Sequence, residues 1–316
     1  MSILLDKTSK VGIEYQKTGY TARGRVQRYH HKPSPIRLSS TAHEVDIKSI
    51  SNKKRTEVLL TNRNFAGQVV AETKFTIGFE IEKTSLHRGA VKEYELFCGF
   101  ELDSSCGYEA VTHILPLVPN CMWRMKVYDM MHKASKIIED TYSPSNHSCG
   151  GHITLGVQNQ TGAEILEKIR PYMGLFYALF RYRLKNAYCK FNPRLLPNSE
   201  LSSYSNDFTL VDHGKYKVAL AKYQVLELRL PSRVSSVKQM MRRYELCYEM
   251  LDTAYNKPRT SFKSFLNKVK PILMRAYDYD DGSVDNIIGY AIAFQDYINK
   301  GKVKDSIEQF LPPQSI

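Results

Sequence analysis

Between residues 75 and 83 the chain reads FTIGFEIEK, in which apolar and polar positions alternate with a period of two. Successive side chains on a strand point to opposite faces, so Ile77, Phe79 and Ile81 share one face while Thr76, Gly78, Glu80 and Glu82 share the other. Taken alone, the segment reads as a half-exposed strand whose polar face meets water. Short runs of the same kind predict strands over residues 73–83, 92–103, 107–112, 151–157, 208–212, 216–221 and 224–230. A 3.6-residue period marks helices in CMWRMKVYDMMHKASKIIEDTY, in AEILEKIRPYMGLFYALFRYRLKNAYC with Pro171 near its first turns, and in VSSVKQMMRRYELCYEMLDTAYN. SFKSFLNKVKPILMRAYDY, VDNIIGYAIAFQDYINK and a short KDSIEQFL segment predict a helical end to the chain. Strands that do not alternate strictly with helices favour an α+β class. The expected architecture is a largely antiparallel sheet with helices on its apolar face and a cleft on the other.

The alternation also sorts chemistry onto the polar face. In GYEAV, Glu109 shares a face with Gly107 and Val111, and the preceding ELDSSCG puts Glu101 and Asp103 on a common face. In GGHITLGV, His152, Thr154 and Gly156 oppose Ile153, Leu155 and Val157. In VLELRL, Glu227 and Arg229 oppose Leu226, Leu228 and Leu230. Each of these residues has an ordinary reading by itself: a solvated strand glutamate, a satisfied core histidine, a cross-strand ion pair. Together, glutamates on neighbouring strands of one face repel unless cations neutralise them, which is why such clusters bind Mg²⁺ or Mn²⁺. Arg229 adds a fork suited to phosphate. Glu80, Glu82, Glu109, His152, Glu227 and Arg229 therefore have the composition of a metal–nucleotide site.

Length and charge divide the chain. Its 316 residues, 42% of them hydrophobic, suffice for a sizeable core in one large domain or two smaller ones. The net charge of +13 is concentrated early: residues 1–70 hold 13 Lys and Arg against 5 Asp and Glu, and the remainder 32 against 27. Residues 1–70, with TARGRVQRYHHKPSPIRLSS and SNKKRTEV, read as a basic, partly irregular extension that docks a strand such as VLLTN and offers a nucleic-acid or assembly contact. Residues 71–316 form the main domain. No apolar run approaches the ~20 residues that span a bilayer, and MSILLDKTSK is too weakly apolar for a signal peptide, so a soluble cytoplasmic chain without a membrane partner is expected. The six cysteines lack C-x-x-C pairs and disulfide-scaffold spacing, and Cys149 and Cys189 read as small buried hydrophobes.

In chain order, GFEIE, ELDSSCGYEAVTHILPL, SCGGHITLG, RLKNAYC and VLELRLPS resemble the phage and bacterial amidoligase family related to glutamate–cysteine ligase and glutamine synthetase. The likeness covers roughly residues 73–235, leaves out the first 70, and fits the helical tail more loosely. It implies a carboxylate–amine ligase that uses ATP with Mg²⁺ or Mn²⁺ and joins small-molecule or peptide carboxylate and amine substrates, in the host cytoplasm if phage-encoded. By the same resemblance Glu80, Glu82, Glu109 and Glu227 coordinate metal, and His152 is a further ligand or a nucleotide contact. Arg229 meets phosphate, Asp103 is near the amine, and Lys215, where relatives often carry arginine, is a weaker phosphate candidate. Asn186 and Tyr188 match a family motif without an assigned role. Thr154 departs from the pattern, standing where many relatives have a second histidine, and His147 is at the wrong offset to replace it. Two other functions fit the same residues: a phosphotransferase on the same fold, and a catalytically silent nucleic-acid-binding or assembly protein.

Overall fold

A computed structural model of the protein describes residues 27–28, 61–63, 69–83, 91, 93–94, 96–103, 107–112, 115–139, 149–157, 160–183, 218–221, 225–276 and 281–300. The strand expected over 208–212, the KDSIEQFL helix, His147, Asn186, Tyr188, Cys189 and Lys215 lie outside the described residues, as does most of the basic extension.

The alternating runs become an antiparallel sheet. In chain order the strands are β1 (Gln27–Arg28), β2 (Thr61–Arg63), β3 (Val69–Glu72), β4 (Phe75–Lys83), β5 (Phe97–Asp103), β6 (Gly107–Thr112), β7 (Leu115–Pro116), β8 (Ile153–Val157), β9 (Ala219–Ala221) and β10 (Val225–Leu228). The main sheet runs β1-β5-β6-β4-β8-β10-β9, with β7 also paired to β4, while β2 and β3 form a separate ladder. The extension thus adds Gln27–Arg28 to the sheet edge, opposite Phe100 and Gly99. The boundary expected at residue 70 falls inside β3.

FTIGFEIEK occupies the middle of the sheet, and all nine of its residues are buried. Its polar positions, Thr76, Glu80 and Glu82, are as buried as its apolar ones. Phe75, Ile77, Phe79 and Ile81 join Ile153, Leu155, Leu226 and Leu228 in the core. Each such side chain contributes about 1.5–3 kcal/mol on leaving water.

Helices cover the apolar face because their own apolar stripes need it. They are α1 (Met122–Lys133), α2 (Ser135–Ile138), α3 (Gly162–Ile169), α4 (Met173–Leu179), α5 (Val237–Asn256), α6 (Phe262–Ala276) and α7 (Asp281–Lys300). α3 lies against β8 and β10, α5 against β4 and α1, and α4 against α7. Thr161 starts α3 with a capping box, accepting from the Glu164 N–H at 3.2 Å while Glu164 accepts from the Thr161 N–H at 2.6 Å. The long helix expected from residue 163 onward is instead broken at Pro171, where a 3-10 turn over Arg170–Tyr172 separates α3 from α4. Proline has no N–H to continue the ladder, and its ring collides with the carbonyl four residues back.

Two buried polar side chains tie these layers together. Lys83, the last residue of β4, sends its Nζ to the carbonyls of Ile138 at 3.0 Å and Val234 at 3.2 Å, joining α2 to the approach of α5. Tyr244 of α5 donates to the Pro116 carbonyl and accepts from the Val118 N–H at 3.0 Å, and burial raises its hydroxyl pKa well above the ordinary value.

Candidate metal-binding site

Register decides which polar residues meet. Between β4 and β6, Glu82 lies opposite Glu109, and between β5 and β6, Glu101 lies opposite Glu109 and Asp103 opposite Gly107. On the other side of β4, Gly78 lies opposite Thr154, and the Glu80 N–H donates to the His152 carbonyl at 3.1 Å, extending the pairing one residue beyond β8. β10 places Glu227 opposite Thr154. Opposed residues share a face of the sheet, so Glu80, Glu82, Glu109, His152 and Glu227 all project from one side. The alternation predicted from the sequence is thereby converted into a cluster.

Within that cluster His152 bridges the carboxylates. Its Nδ1 is 2.7 Å from Glu80 Oε2 and 3.6 Å from Glu227 Oε1, and its Nε2 is 3.1 Å from Glu82 Oε1. Glu80, Glu82, Glu109, His152 and Glu227 are all buried, each residue between 1% and 7% exposed. Carboxylates crowded out of water raise one another's energy, and a bound cation is the usual remedy. Among the described residues, Glu80, Glu82, Glu109 and His152 each offer a ligand atom, and those four atoms lie within 4.8 Å of one another. Opposed ligands of an octahedral Mg²⁺ are ~4.2 Å apart and those of the larger Ca²⁺ ~4.8 Å, so the span suits a divalent ion. Three carboxylates and one imidazole offer oxygen and nitrogen donors and no thiolate, so the set does not call for a thiophilic metal.

Glu227 and Arg229 stand at the edge of this set. An Arg229 Nη1 hydrogen bond engages Glu227 Oε1, the oxygen that faces His152. Burial works against the Arg229 charge, but Glu227, Glu80 and Glu82 outweigh it and hold the guanidinium pKa above its ordinary value. Glu227 is thus an ion-pair partner of Arg229 beside the four-donor set. Thr154, in the position of the missing second histidine, is 1% exposed, and its hydroxyl has no hydrogen-bond partner among the described residues. Asp103 belongs to β5, one strand beyond β6, where its backbone pairs with Gly107. Lys215 lies outside the described residues.

The segment before His152 supplies contacts that alternation did not reveal. The Gly150 N–H donates to Glu82 Oε2. A Cβ on Gly150 would stand 2.8 Å from His152 Nε2 and 3.2 Å from Glu82 Oε1, so only glycine lets the main chain come this close. A Cβ on Gly151 would meet the Ser232 carbonyl oxygen at 2.4 Å and Arg243 Nη1 at 2.6 Å. Arg183 Nη1 donates to the Cys149 carbonyl at 2.7 Å, and Cys149 itself is buried. The doublet of glycines ahead of a histidine was the available signal; nothing local marks Arg183 or Arg243.

Among the described residues no helix is long and apolar enough to cross a membrane. Set against known proteins, the chain matches no protein-family model and no curated protein sequence.

Proposed function

We propose that the protein is an ATP- and Mg²⁺-dependent carboxylate–amine ligase with a glutamine synthetase-like catalytic sheet, forming an amide or peptide bond through an acyl phosphate. One observation carries this reading: Glu80, Glu82, Glu109 and His152 converge to within 4.8 Å on a buried sheet face, with the Arg229 guanidinium at its edge. Amide formation from a carboxylate in water is uphill, and γ-phosphoryl transfer from ATP to the carboxylate makes it electrophilic. The amine then attacks the acyl carbon, the amide bond forms, and inorganic phosphate leaves.

Glu80, Glu82, Glu109 and His152 would hold the divalent cation, which when bound supplies charge neutralisation for the phosphate oxygens. Arg229 offers two parallel N–H donors to the transferring phosphoryl group, exchanging Glu227 for phosphate oxygens as nucleotide arrives. Glu227 holds that guanidinium in place until then. Asp103, on β5 one strand beyond Glu109, would attract the substrate ammonium and accept its proton before attack.

The test incubates the full chain with ATP, Mg²⁺ and panels of carboxylates and amines, scoring condensation by mass spectrometry and nucleotides by chromatography. The reading expects ADP and inorganic phosphate, with ¹⁸O from the substrate carboxylate appearing in phosphate. Label in AMP would overturn the acyl phosphate. A phosphorylated product without condensation would assign a phosphotransferase instead.

A further inference from the structure

We propose that Arg243 is a positioning residue for the carboxylate–imidazole set, acting through the Gly150–Gly151 turn without touching a ligand atom. The inference rests on reading Glu80, Glu82, Glu109 and His152 as a divalent-cation site. Arg243 projects from α5 and is only 4% exposed. Its Nη1 donates to the Ser232 carbonyl at 2.7 Å and, at the 3.5 Å limit, to the Gly151 carbonyl. Its Nη2 donates to Ser232 Oγ at 3.1 Å and to the Arg233 carbonyl at 3.4 Å. The guanidinium carbon lies 5.2 Å from the centroid of the Phe180 ring, a contact that helps fix the plane of the fork.

These contacts join the two chain segments that bring the site together. Gly151 directly precedes His152, and Ser232 follows the strand that carries Glu227 and leads into Arg229. The segments are already stitched by the Gly151 N–H to the Pro231 carbonyl at 3.0 Å and by a bridge between Gly150 and Ser232. Arg243 closes that junction from one side while His152 and Glu82 close it from the other. The two glycines mark both boundaries: a Cβ on Gly151 would strike Arg243, and one on Gly150 would strike His152. With the turn held, the Gly150 N–H stays on Glu82 Oε2 and Glu82 presents its other oxygen toward His152. Outer groups that orient ligands in this way commonly govern metal affinity by ~10–100-fold.

The experiment titrates Mn²⁺ alone into the full chain, followed by electron paramagnetic resonance and thermal melting, for wild type, Arg243→Met, Arg243→Lys and Ser232→Ala. Both Arg243 variants are expected to bind Mn²⁺ ~10–100-fold more weakly, with an altered line shape. Lysine should not rescue, because a point charge cannot span the Ser232 and Gly151 carbonyls together. Ser232→Ala, which removes one of the four acceptors, should weaken binding about threefold or more. A folded Arg243 variant with a lower melting temperature but wild-type Mn²⁺ affinity marks a purely structural arginine and overturns the proposal. If neither Arg243 variant folds, Ser232→Ala decides alone, and unchanged affinity there overturns it. Wild-type protein that binds no Mn²⁺ overturns the metal-site reading itself, a result independent of the variants.

Discussion

Replacing Gly150 with alanine adds one methyl group at the centre of the proposed metal set. The new Cβ would be 2.8 Å from His152 Nε2, 3.1 Å from its Cδ2 and 3.2 Å from Glu82 Oε1. Ordinary contact requires ~3.5 Å, so the imidazole must retreat by about 0.7 Å. It cannot do so freely: Nδ1 is engaged by Glu80 at 2.7 Å and Nε2 faces Glu82 at 3.1 Å. Overpacking of this kind costs about 1–3 kcal/mol. Expressed in ligand placement, that range corresponds to Mn²⁺ affinity lowered by about 5- to 150-fold. Gly150 does not adopt a positive φ, so backbone strain adds nothing and the effect is steric. Gly289 is the control, an exposed position inside α7 where a Cβ meets nothing within 4 Å. There alanine should stabilise by about 0.5–1 kcal/mol through helix propensity and leave metal binding unchanged. Isothermal titration with Mn²⁺ and thermal melting read both effects. A folded Gly150→Ala protein with Mn²⁺ affinity within about twofold of wild type would refute the reasoning.

Glu82→Gln keeps the acceptor for the Gly150 N–H but removes a charge, so it should fold, melt no lower than wild type without metal, and lose Mn²⁺ affinity by calorimetry. Arg229→Lys retains charge but not the fork, and should lower the ligase rate ~10²–10³-fold at saturating ATP; kinetics within about threefold of wild type would remove Arg229 from the reacting phosphate. Burial opposes the Asp252 charge, yet hydrogen bonds from Asn256, Lys257 and Lys268 hold its carboxyl below the ordinary 3.8. A depressed carboxyl stabilises above its unfolded pKa and loses that contribution as pH falls through the folded value. Asp252→Asn should therefore be less stable than wild type near neutral pH, with the difference shrinking below about pH 4 in urea melts.

How much of this was legible in the sequence follows from the range of each interaction. The pleat of a strand is local, so FTIGFEIEK, GYEAV, HITLGV and VLELRL by themselves determined which residues share a face and that glutamates, a histidine and an arginine would occupy it. The α+β class and most helix positions were equally local, apart from Pro171, whose missing N–H split the helix expected to run through it. Which strands become neighbours is not local. Glu82 meets Glu109 and Glu80 meets His152 only because β4 lies between β6 and β8, an order set by the burial of both faces over the whole sheet. How deeply Glu80 and Glu82 are buried depends on the same long-range packing. Gly150, Gly151 and Arg243 were hidden differently: their contacts are close approaches between segments distant along the chain, and an arginine in MMRRYELC reads as a solvated helix residue until tertiary packing turns it inward onto the Ser232 carbonyl. Alternation specified the donors, and long-range packing decided the distances between them, because the period of a strand is a property of its backbone whereas the spacing of a site belongs to the assembled sheet.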